Sequence, residues 1–487
     1  MELRHVHPVR VARALISPRG AGVAVAILLL LRLVVAGMLP LSADEAYYWL
    51  WSRHLAAGYY DHPPAIAFLI RAGTALFGDT AFGVRLFAVL LSLPASWFIW
   101  RAALLLLADE RRAALAALLF NLTLMIGIEA LAATPDAPSI AAGSAYVWCL
   151  ARVQEDRDGR LWLAAGLAAG LGLLSKYAAL FLGAGTLAWL LADPRARHWL
   201  RTPWPYVGGA VAALVFAPNL VWQVQHHWMT FAFQFGRVRQ GHLTLRYLGE
   251  FLAAQFGLAT PGIFLLAGIG LWHATRRGPM LLLAALVWTG LAYFFFHALR
   301  DRVQGNWPCF LYPVLAILAA GAFNIESGTA RRWLSLAAAP LAALLLALVY
   351  TQALWSWLPI RNDPLPRLLG RGFPEIAAVI AKARLAAAIV TTDYETTAWL
   401  RFYQPSLKVI EIDEPRRYPD APAPDAALLR RPLLYVVEKK RVRGDLIGRY
   451  FRIAELAALT STKSTPPETY ELFAVGGAKA SGFGKMP

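Results

Sequence analysis

Charged side chains are scarce in this sequence. They make up 16% of the 487 residues, whereas a soluble domain usually carries about 25%. Hydrophobic residues account for 58% of the chain. Apolar runs of about 20 residues, long enough to cross a hydrocarbon core of roughly 30 Å, recur between Ala21 and Trp355. The shortage of charge therefore excludes a wholly soluble protein and predicts a multi-pass membrane protein.

Cysteine and nucleotide-binding motifs are also nearly absent. Cys149 and Cys309 each lie inside an apolar run, at opposite predicted depths of the membrane, so we expect neither a disulfide nor a cysteine-based metal site. The sequence contains neither a P-loop nor a dinucleotide-binding fingerprint, which argues against a nucleotide site. The net charge of +17 comes from basic residues scattered through short loops, and this distribution argues against nucleic-acid binding.

The apolar runs predict about 11 membrane-spanning α-helices. The first is interpreted as an uncleaved helix, because no convincing small-residue cleavage site precedes Ser42. The predicted spans are residues 21–40, 81–107, 112–131, 137–152, 161–174, 177–192, 204–222, 258–274, 279–298, 308–323 and 333–355.

Arginine in the short loops predicts the orientation of these spans. If the N-terminus is cytoplasmic, successive loops on that side carry the basic clusters around Arg111, Arg157, Arg197, Arg276 and Arg331. Each cluster obeys the positive-inside rule. This pattern predicts a cytoplasmic N-terminus and places the C-terminal region outside. Any chemistry is then expected on the outer face, where the polar loops also gather.

The first outer loop carries two adjacent acids. Ser42 can cap a helix whose first turn holds Asp44 and Glu45. Aromatic residues on the same segment favour a helix lying on the membrane surface; they are Tyr47, Tyr48, Trp49 and Trp51. The acids are candidate catalytic groups, but they could equally serve only to favour a helix N-terminus.

A rigid turn follows this helix. The residues Tyr59, Tyr60, Asp61 and His62 precede two prolines, which stop the helix and hold the polar groups in an extended conformation. Such a turn can aim side chains into a substrate cavity. It could also simply join two surface helices.

Asp136 lies between two prolines at the outer ends of two predicted spans. Ionisable groups at that depth are costly in free energy and usually face a cavity. The alternative is a solvated loop tip.

Basic and aromatic residues also occur at outer helix ends, where the positive-inside rule does not predict them. Arg suits bidentate phosphate recognition, and Lys suits point-charge stabilisation. Single residues of this kind more often extend towards lipid headgroups, but their clustering on the outer face favours phosphate binding. The phosphate-binding candidates among them are Lys176, Arg300 and Arg302. The candidates for the substrate cavity are Tyr177, Asn306, Trp307 and His226, which lies in the long loop before residues 242–258.

The composition changes near Pro359. We therefore predict a transmembrane domain at residues 1–360 and a separate, water-exposed domain at 361–487. In the latter, β-rich runs at Ala386–Thr392, Lys408–Ile412 and Leu433–Val437 alternate with helical stretches at Pro374–Leu385 and Glu395–Tyr403. This alternation predicts a small α/β domain.

Taken in order, the outer motifs resemble a known family. Five motifs are similar, in their order, to those of bacterial relatives of protein O-mannosyltransferases. They are the Asp-Glu helix, the Tyr-Tyr-Asp-His-Pro-Pro turn, the Pro-Asp-Ala-Pro loop, the Ser-Lys-Tyr segment and the Asn-Trp-Pro segment. These relatives are GT-C glycosyltransferases, and they include the aminoarabinose transferase of lipid A and the galacturonosyltransferases of lipopolysaccharide core. The resemblance covers residues 20–360 and, more loosely, the tail.

The resemblance implies a GT-C fold and an inverting transfer of a sugar from a polyprenyl-phosphate donor. It implies that Asp44, beside Glu45, is the general base, and that Asp136 is a second acid. Lipid A, lipopolysaccharide core, another glycolipid or a protein would be the acceptor. The alternatives are a transporter or flippase for a lipid-linked sugar, or a structural scaffold.

One position departs from the family pattern. The aminoarabinose transferases carry a Glu-Lys pair before the diproline, whereas this chain has Asp61-His62. The fixed positive charge is missing, and His62 would contact the phosphate more weakly or in a pH-dependent way. Lys176, Arg300 and Arg302 are then more necessary for holding the phosphate. A divalent metal could bridge Asp61, His62 and Asp136 to that phosphate.

Overall fold

Helices and one small sheet make up the computed structural model of the chain. It describes residues 17–236, 243–276, 278–324, 326, 328–361, 363, 365–382, 386–418, 425–461 and 467–479. All statements below concern those residues.

Five of the described helices are long and apolar enough to cross a membrane. Their apolar windows carry no more than two charged residues, so burial in lipid costs little. They are Pro18–Met38, Ala81–Leu107, Trp204–Gln225, Gly278–Ala298 and Ala330–Trp355. The second consists of the helices Ala81–Leu90 and Ser92–Leu107, and the fourth begins with a 3-10 turn at Gly278–Met280.

The helices Arg246–Ala259 and Pro261–Ala274 form a bent pair. They meet at 108°, because Pro261 lacks an N–H to continue the first helix and Thr260 takes a φ of +68°. Counting the pair as one span raises the number of candidates to six among the described residues. Shorter apolar helices lie at Ala65–Phe77, Leu161–Ser175, Tyr177–Ala192 and Cys309–Ala322.

Each of the eleven predicted spans overlaps a helix of the structure. The predicted span 112–131 corresponds to the helices Glu110–Leu122 and Leu124–Glu129, and the predicted span 137–152 corresponds to the helix Asp136–Asp156. The helical membrane architecture is confirmed, and the count of about 11 stays a prediction. Further helices lie at Ala43–Arg53, Met229–Gly236, Leu365–Leu368, Phe373–Lys382, Tyr394–Tyr403, Ala426–Leu429 and Gly444–Tyr450, and 3-10 turns at Arg197–Arg201, Pro415–Arg417 and Lys439–Arg441.

The chain divides into two compact units. The helical unit comprises Met1–Val34, His62–Ile66 and Arg85–Val349, and the sheet unit comprises Val35–Asp61, Ala67–Val84 and Tyr350–Pro487. Each is described by itself below. The predicted boundary after residue 360 stays a prediction.

Small residues let helices of the helical unit approach closely. A Cβ on Gly166 would lie 2.1 Å from the carbonyl oxygen of Gly208, and one on Gly270 would lie 2.2 Å from that of Leu318. Backbones in such contact gain the dispersion energy that drives helix association in lipid.

Arg32 and Arg85 are cations buried in the same unit. Arg32 is 1% exposed, and its guanidinium donates to the side-chain oxygen of Asn121 at 2.7 Å and to the backbone oxygen of Asn121 at 2.8 Å. The Asn121 amide in turn donates to Ser96 Oγ at 2.7 Å. These hydrogen bonds offset the cost of placing a charge among apolar helices.

The sheet unit holds five strands in the order β2-β1-β3-β5-β4. They are β1 Ile389–Thr391, β2 Val409–Glu411, β3 Leu433–Glu438, β4 Ile453–Ser461 and β5 Thr469–Gly476. β1 pairs in parallel with β2 and β3, while β5 pairs antiparallel with β3 and β4. The first three strands and the helices Phe373–Lys382 and Tyr394–Tyr403 confirm the predicted α/β pattern.

Candidate functional site

Asp136 is the centre of a buried polar cluster in the helical unit. It is the first residue of the helix Asp136–Asp156, a position that favours a carboxylate, and it is 2% exposed. Lys176 Nζ lies 2.5 Å from its Oδ1, and Asn306 Nδ2 donates to its Oδ2 at 2.9 Å. The Cys309 thiol also donates to Oδ1, at 2.7 Å. Three separate loop motifs therefore meet at one carboxylate.

Lys176 owes its position to a break between two helices. It follows the helix Leu161–Ser175 with an extended backbone and precedes the 3-10 turn Tyr177–Ala179. This break turns the ammonium towards Asp136. The Lys176 side chain remains 12% exposed, so the ion pair is not fully sealed from its surroundings.

Tyr177 belongs to a second polar group in the helical unit. Its hydroxyl donates to Asn219 Oδ1 at 3.0 Å and accepts from Gln223 Nε2 at 2.8 Å. Gln223 also donates to Thr230 Oγ1 at 2.7 Å. The Tyr177 ring stacks on Phe231 at 4.8 Å. These contacts fix the ring orientation of a predicted cavity residue.

His226 lies at the C-terminal end of the helix Trp204–Gln225. Its ring stacks on Trp222 at 4.0 Å, and its Nδ1 lies 2.8 Å from the Trp222 carbonyl oxygen. Both contacts are local to the helix end. They account for the position of His226 without a substrate.

The two predicted phosphate-binding arginines differ in their surroundings. Arg302 is 73% exposed and pairs with Glu250 at 3.0 Å. The Arg300 guanidinium lies 4.8 Å from the centre of the Phe296 ring. Trp307 contacts His297 edge-on at 5.2 Å. The structure thus brings Lys176 and Asn306 to Asp136, whereas Arg302 engages an acid that the sequence analysis did not single out.

In the sheet unit, Ser42, Asp44 and Glu45 form the predicted helix start. Ser42 caps the helix Ala43–Arg53, and Glu45 completes a capping box by accepting from Ser42 N at 2.9 Å. Glu45 is 1% exposed, so its observed contact is a structural one, and its catalytic role stays a prediction. Asp44 is exposed, and Tyr394 Oη donates to its Oδ1 at 2.9 Å.

Asp61 forms a buried ion pair in the same unit. Arg417 Nη1 lies 2.7 Å from both carboxylate oxygens, and the two side chains are 9% and 11% exposed. Glu414 accepts from the Arg417 Nε at 2.8 Å. The guanidinium also lies 5.2 Å from the Tyr60 ring centre.

The pKa values of Asp44 and Asp61 are both raised. Although the Asp44 side chain reaches solvent, the protein atoms around it remove part of its hydration. This desolvation, together with the nearby Asp61, Glu395 and Glu45 carboxylates, raises the pKa of Asp44 to about 6, and the Tyr394 hydrogen bond opposes the shift. Burial raises the pKa of Asp61, against the opposing charge of Arg417. A carboxylate with a pKa near 6 can take up a proton close to neutral pH.

The rest of the predicted turn is held in different ways. Tyr59 stacks flat on Trp51 at 4.4 Å, and its hydroxyl donates to the carbonyl oxygens of Trp51 and His54. His62 is half-buried and belongs to the helical unit, unlike Asp61.

Among the described residues, no group of three or more His, Cys, Asp or Glu side chains could hold a metal ion. Because Arg417 occupies both Asp61 oxygens, the suggested metal ligands do not fit, and no step is assigned to a metal.

Tyr394, Arg417 and Cys309 contact predicted site residues but were not themselves predicted as site residues. Tyr394 and Arg417 lie 350 and 356 positions from their partners Asp44 and Asp61. No motif marks either residue. Cys309 directly follows the Asn-Trp-Pro segment, and its place beside Asn306 and Trp307 is the signal that could have identified it.

Comparison with known proteins identifies relatives of the chain. The model of the dolichyl-phosphate-mannose-protein mannosyltransferase family matches residues 61–222. Lipid A galacturonosyltransferase RgtD of Rhizobium johnstonii is 28% identical over 431 residues, which are 87% of this chain and 87% of that protein. Undecaprenyl phosphate-alpha-4-amino-4-deoxy-L-arabinose arabinosyl transferase 1 of Pseudomonas fluorescens is 27% identical over 300 residues, 56% of this chain and 50% of that protein.

A solved structure shares the fold. The crystal structure of ArnT from Cupriavidus metallidurans bound to undecaprenyl phosphate matches with a TM-score of 0.62 at 17% identity, over 92% of this chain and 97% of that one. This likeness establishes an ArnT-like helical membrane fold with a small C-terminal sheet. The sequence relatives confirm the predicted similarity to the protein O-mannosyltransferase-like GT-C glycosyltransferases, and the shared fold agrees with it.

Proposed function

We propose that this protein is an inverting glycosyltransferase that moves a sugar from polyprenyl phosphate to an acceptor outside the cytoplasm. The observation that carries the proposal is the match to a lipid A galacturonosyltransferase over 87% of both chains. Lipid A or lipopolysaccharide core is the first acceptor to test, ahead of other glycolipids and proteins. In this proposal the protein spans the inner membrane about 11 times, with its N-terminus cytoplasmic and residues 361–487 periplasmic.

Asp44 is the general base in this proposal. Its carboxylate is accessible, one oxygen accepts from Tyr394, and a pKa of about 6 leaves it ionised yet basic near neutral pH. General base catalysis requires such a match between pKa and working pH. Glu45 is less suited to proton transfer, because it is buried in the capping box.

Lys176 binds the donor phosphate in this proposal. An ammonium has three N–H donors, and the described contacts of Lys176 Nζ are with Asp136. Asp136 therefore fixes the position of the cation while other N–H groups stay available for a phosphate oxygen. Asp136 then acts through Lys176, and Asn306 and Cys309 keep its carboxylate in place.

The reaction is a single displacement. The acceptor hydroxyl oxygen forms a bond to the anomeric carbon as the bond from that carbon to the phosphate oxygen breaks on the opposite face. Asp44 takes the hydroxyl proton, and polyprenyl phosphate leaves as an anion. Lys176 and Arg300 stabilise that anion where its charge develops.

The test uses purified protein in lipid nanodiscs with a radiolabelled sugar on undecaprenyl phosphate, and with lipid A as acceptor. We expect labelled lipid A and one equivalent of free undecaprenyl phosphate for each sugar transferred. A flippase would move the intact donor across the bilayer and release no free undecaprenyl phosphate. If several sugars and acceptors give no release, the proposal is wrong.

A further inference from the structure

Tyr394, in the C-terminal part of the sheet unit, contacts the proposed base Asp44. Tyr394 begins the helix Tyr394–Tyr403, which follows β1 and is capped by Asp393, whose carboxylate accepts from Thr396 N at 2.8 Å. The cap fixes the first turn of this helix, and Tyr394 Oη reaches Asp44 Oδ1 at 2.9 Å. The described contacts of the Asp44 side chain leave Oδ2 for an acceptor hydroxyl.

Arg417 holds that tyrosine in place. Its guanidinium lies 4.5 Å from the Tyr394 ring centre, within the range of a cation–π contact. The same guanidinium is fixed by Asp61 on one side and Glu414 on the other. The Tyr394 ring also packs against Tyr47, with ring centres 5.3 Å apart. Tyr394 therefore has little rotamer freedom.

We propose that Tyr394 and Arg417 are positioning residues for Asp44, so that the C-terminal part of the sheet unit takes part in catalysis. The inference rests on the proposed role of Asp44 as general base. Tyr394 orients the carboxylate by holding Oδ1, and Arg417 orients Tyr394. Neither residue exchanges a proton with the substrate.

The charged surroundings of Asp44 decide the sign of the expected effect. Carboxylates come from its own helix (Glu45), from the turn after it (Asp61) and from the next helix turn of the sheet region (Glu395), and together they raise the pKa of Asp44. The Tyr394 hydrogen bond lowers it, because the hydroxyl donor favours the ionised form. Among the described residues, Arg417 pairs with Asp61 at 2.7 Å and Arg441 pairs with Glu395 at 2.9 Å. Removing the Tyr394 hydroxyl should therefore raise the pKa of Asp44 further.

The test compares pH–rate profiles of Tyr394→Phe with those of the wild type. Phe keeps the ring contacts with Arg417 and Tyr47 and removes only the hydroxyl. We expect the acidic limb of kcat/KM to move up by about one pH unit, since a hydrogen bond to a charged group contributes about 1.5 kcal/mol or more. The loss should be about tenfold below pH 6 and small above pH 8.

The matched control is Tyr435→Phe. Tyr435 is buried in the sheet, and its hydroxyl bonds Thr392 at 2.9 Å, so the variant loses a hydroxyl hydrogen bond that does not involve Asp44. Its acidic limb should stay in place. An equal loss of activity at all pH values in Tyr394→Phe, without movement of the limb, would overturn the proposal.

A second readout does not need activity. Carbodiimide labels protonated carboxyl groups, so mass spectrometry of labelled Asp44 against pH reports its titration directly. The midpoint should be higher in Tyr394→Phe than in the wild type, and Arg417→Lys should shift it in the same direction by a smaller amount. Unchanged midpoints in both variants would refute the positioning role. Shifted midpoints in a protein that transfers no sugar would refute only the proposed function.

Discussion

The acids Asp136 and Asp44 were predicted as catalytic groups on similar grounds, yet the structure gives them opposite surroundings. Asp136 is buried and receives donors from Lys176, Asn306 and Cys309. Asp44 is exposed and receives one donor, from Tyr394. A carboxylate surrounded by donors suits holding a cation, whereas one with a free oxygen suits accepting a proton. The contrast therefore supports the proposal that Asp44 is the base and that Asp136 holds Lys176 in place.

The variant Asp44→Asn tests directly whether Asp44 is the general base. The amide keeps the shape of the side chain but cannot take a proton, so transfer should fall at least about 10²-fold. The variant should be no less stable than the wild type to thermal unfolding in detergent, because the raised pKa of Asp44 means that its ionised form disfavours the folded state. In the wild type, activity should rise with pH through about 6, since Asp44 with a pKa of about 6 must be ionised to act. Near-normal turnover in the variant would show that another group is the base.

The variant Lys176→Met tests the ion pair between Lys176 and Asp136. The variant leaves the buried Asp136 without its cation, which should lower the free energy of unfolding by about 3 kcal/mol. Transfer should also fall, since the proposed phosphate contact is lost.

The double variant Lys176→Met/Asp136→Leu separates the two effects. An apolar pair of similar volume should recover most of the stability, as measured by chemical or thermal unfolding, but should not recover transfer. Recovery of transfer with stability would show that the ion pair is structural only.

Arg417→Ala tests the ion pair that accompanies Asp44. It should cost about 2–3 kcal/mol of unfolding free energy, because Asp61 is left buried and unpaired. Arg416→Ala is the matched control: Arg416 is the exposed neighbour, and a surface change of this kind usually stays within about 0.5 kcal/mol. Equal unfolding temperatures for the two variants would contradict the buried pair.

The contrast also shows which features the sequence could predict. Apolar run length is a local property, so every predicted span overlaps a helix. The capping pattern at Ser42 and Glu45 and the break at Lys176 are likewise local, because caps and backbone breaks depend on neighbouring residues.

Long-range contacts had no such signal. The partners of Asp44 and Asp61 lie 350 and 356 positions away, and single Tyr and Arg residues in a polar tail carry no motif. The strands β4 and β5 were also not predicted. The Ala-, Leu- and Glu-rich sequence of β4 favours helix, and pairing with β5 along its length overrides that local preference.

The smallest expected effect concerns the two outer arginines, which the sequence treated alike. Arg302 is 73% exposed and pairs with Glu250, and exposed pairs of this kind contribute about 0–1 kcal/mol. Arg302→Ala should therefore change donor KM less than about twofold. Arg300 is half-buried against Phe296, and Arg300→Ala should raise donor KM by about fivefold if one charge-assisted contact of about 1 kcal/mol to the phosphate is lost. Steady-state kinetics with the labelled donor measures both. Equal KM values for Arg300→Ala and the wild type would assign Arg300 to lipid headgroups and leave Lys176 as the phosphate ligand.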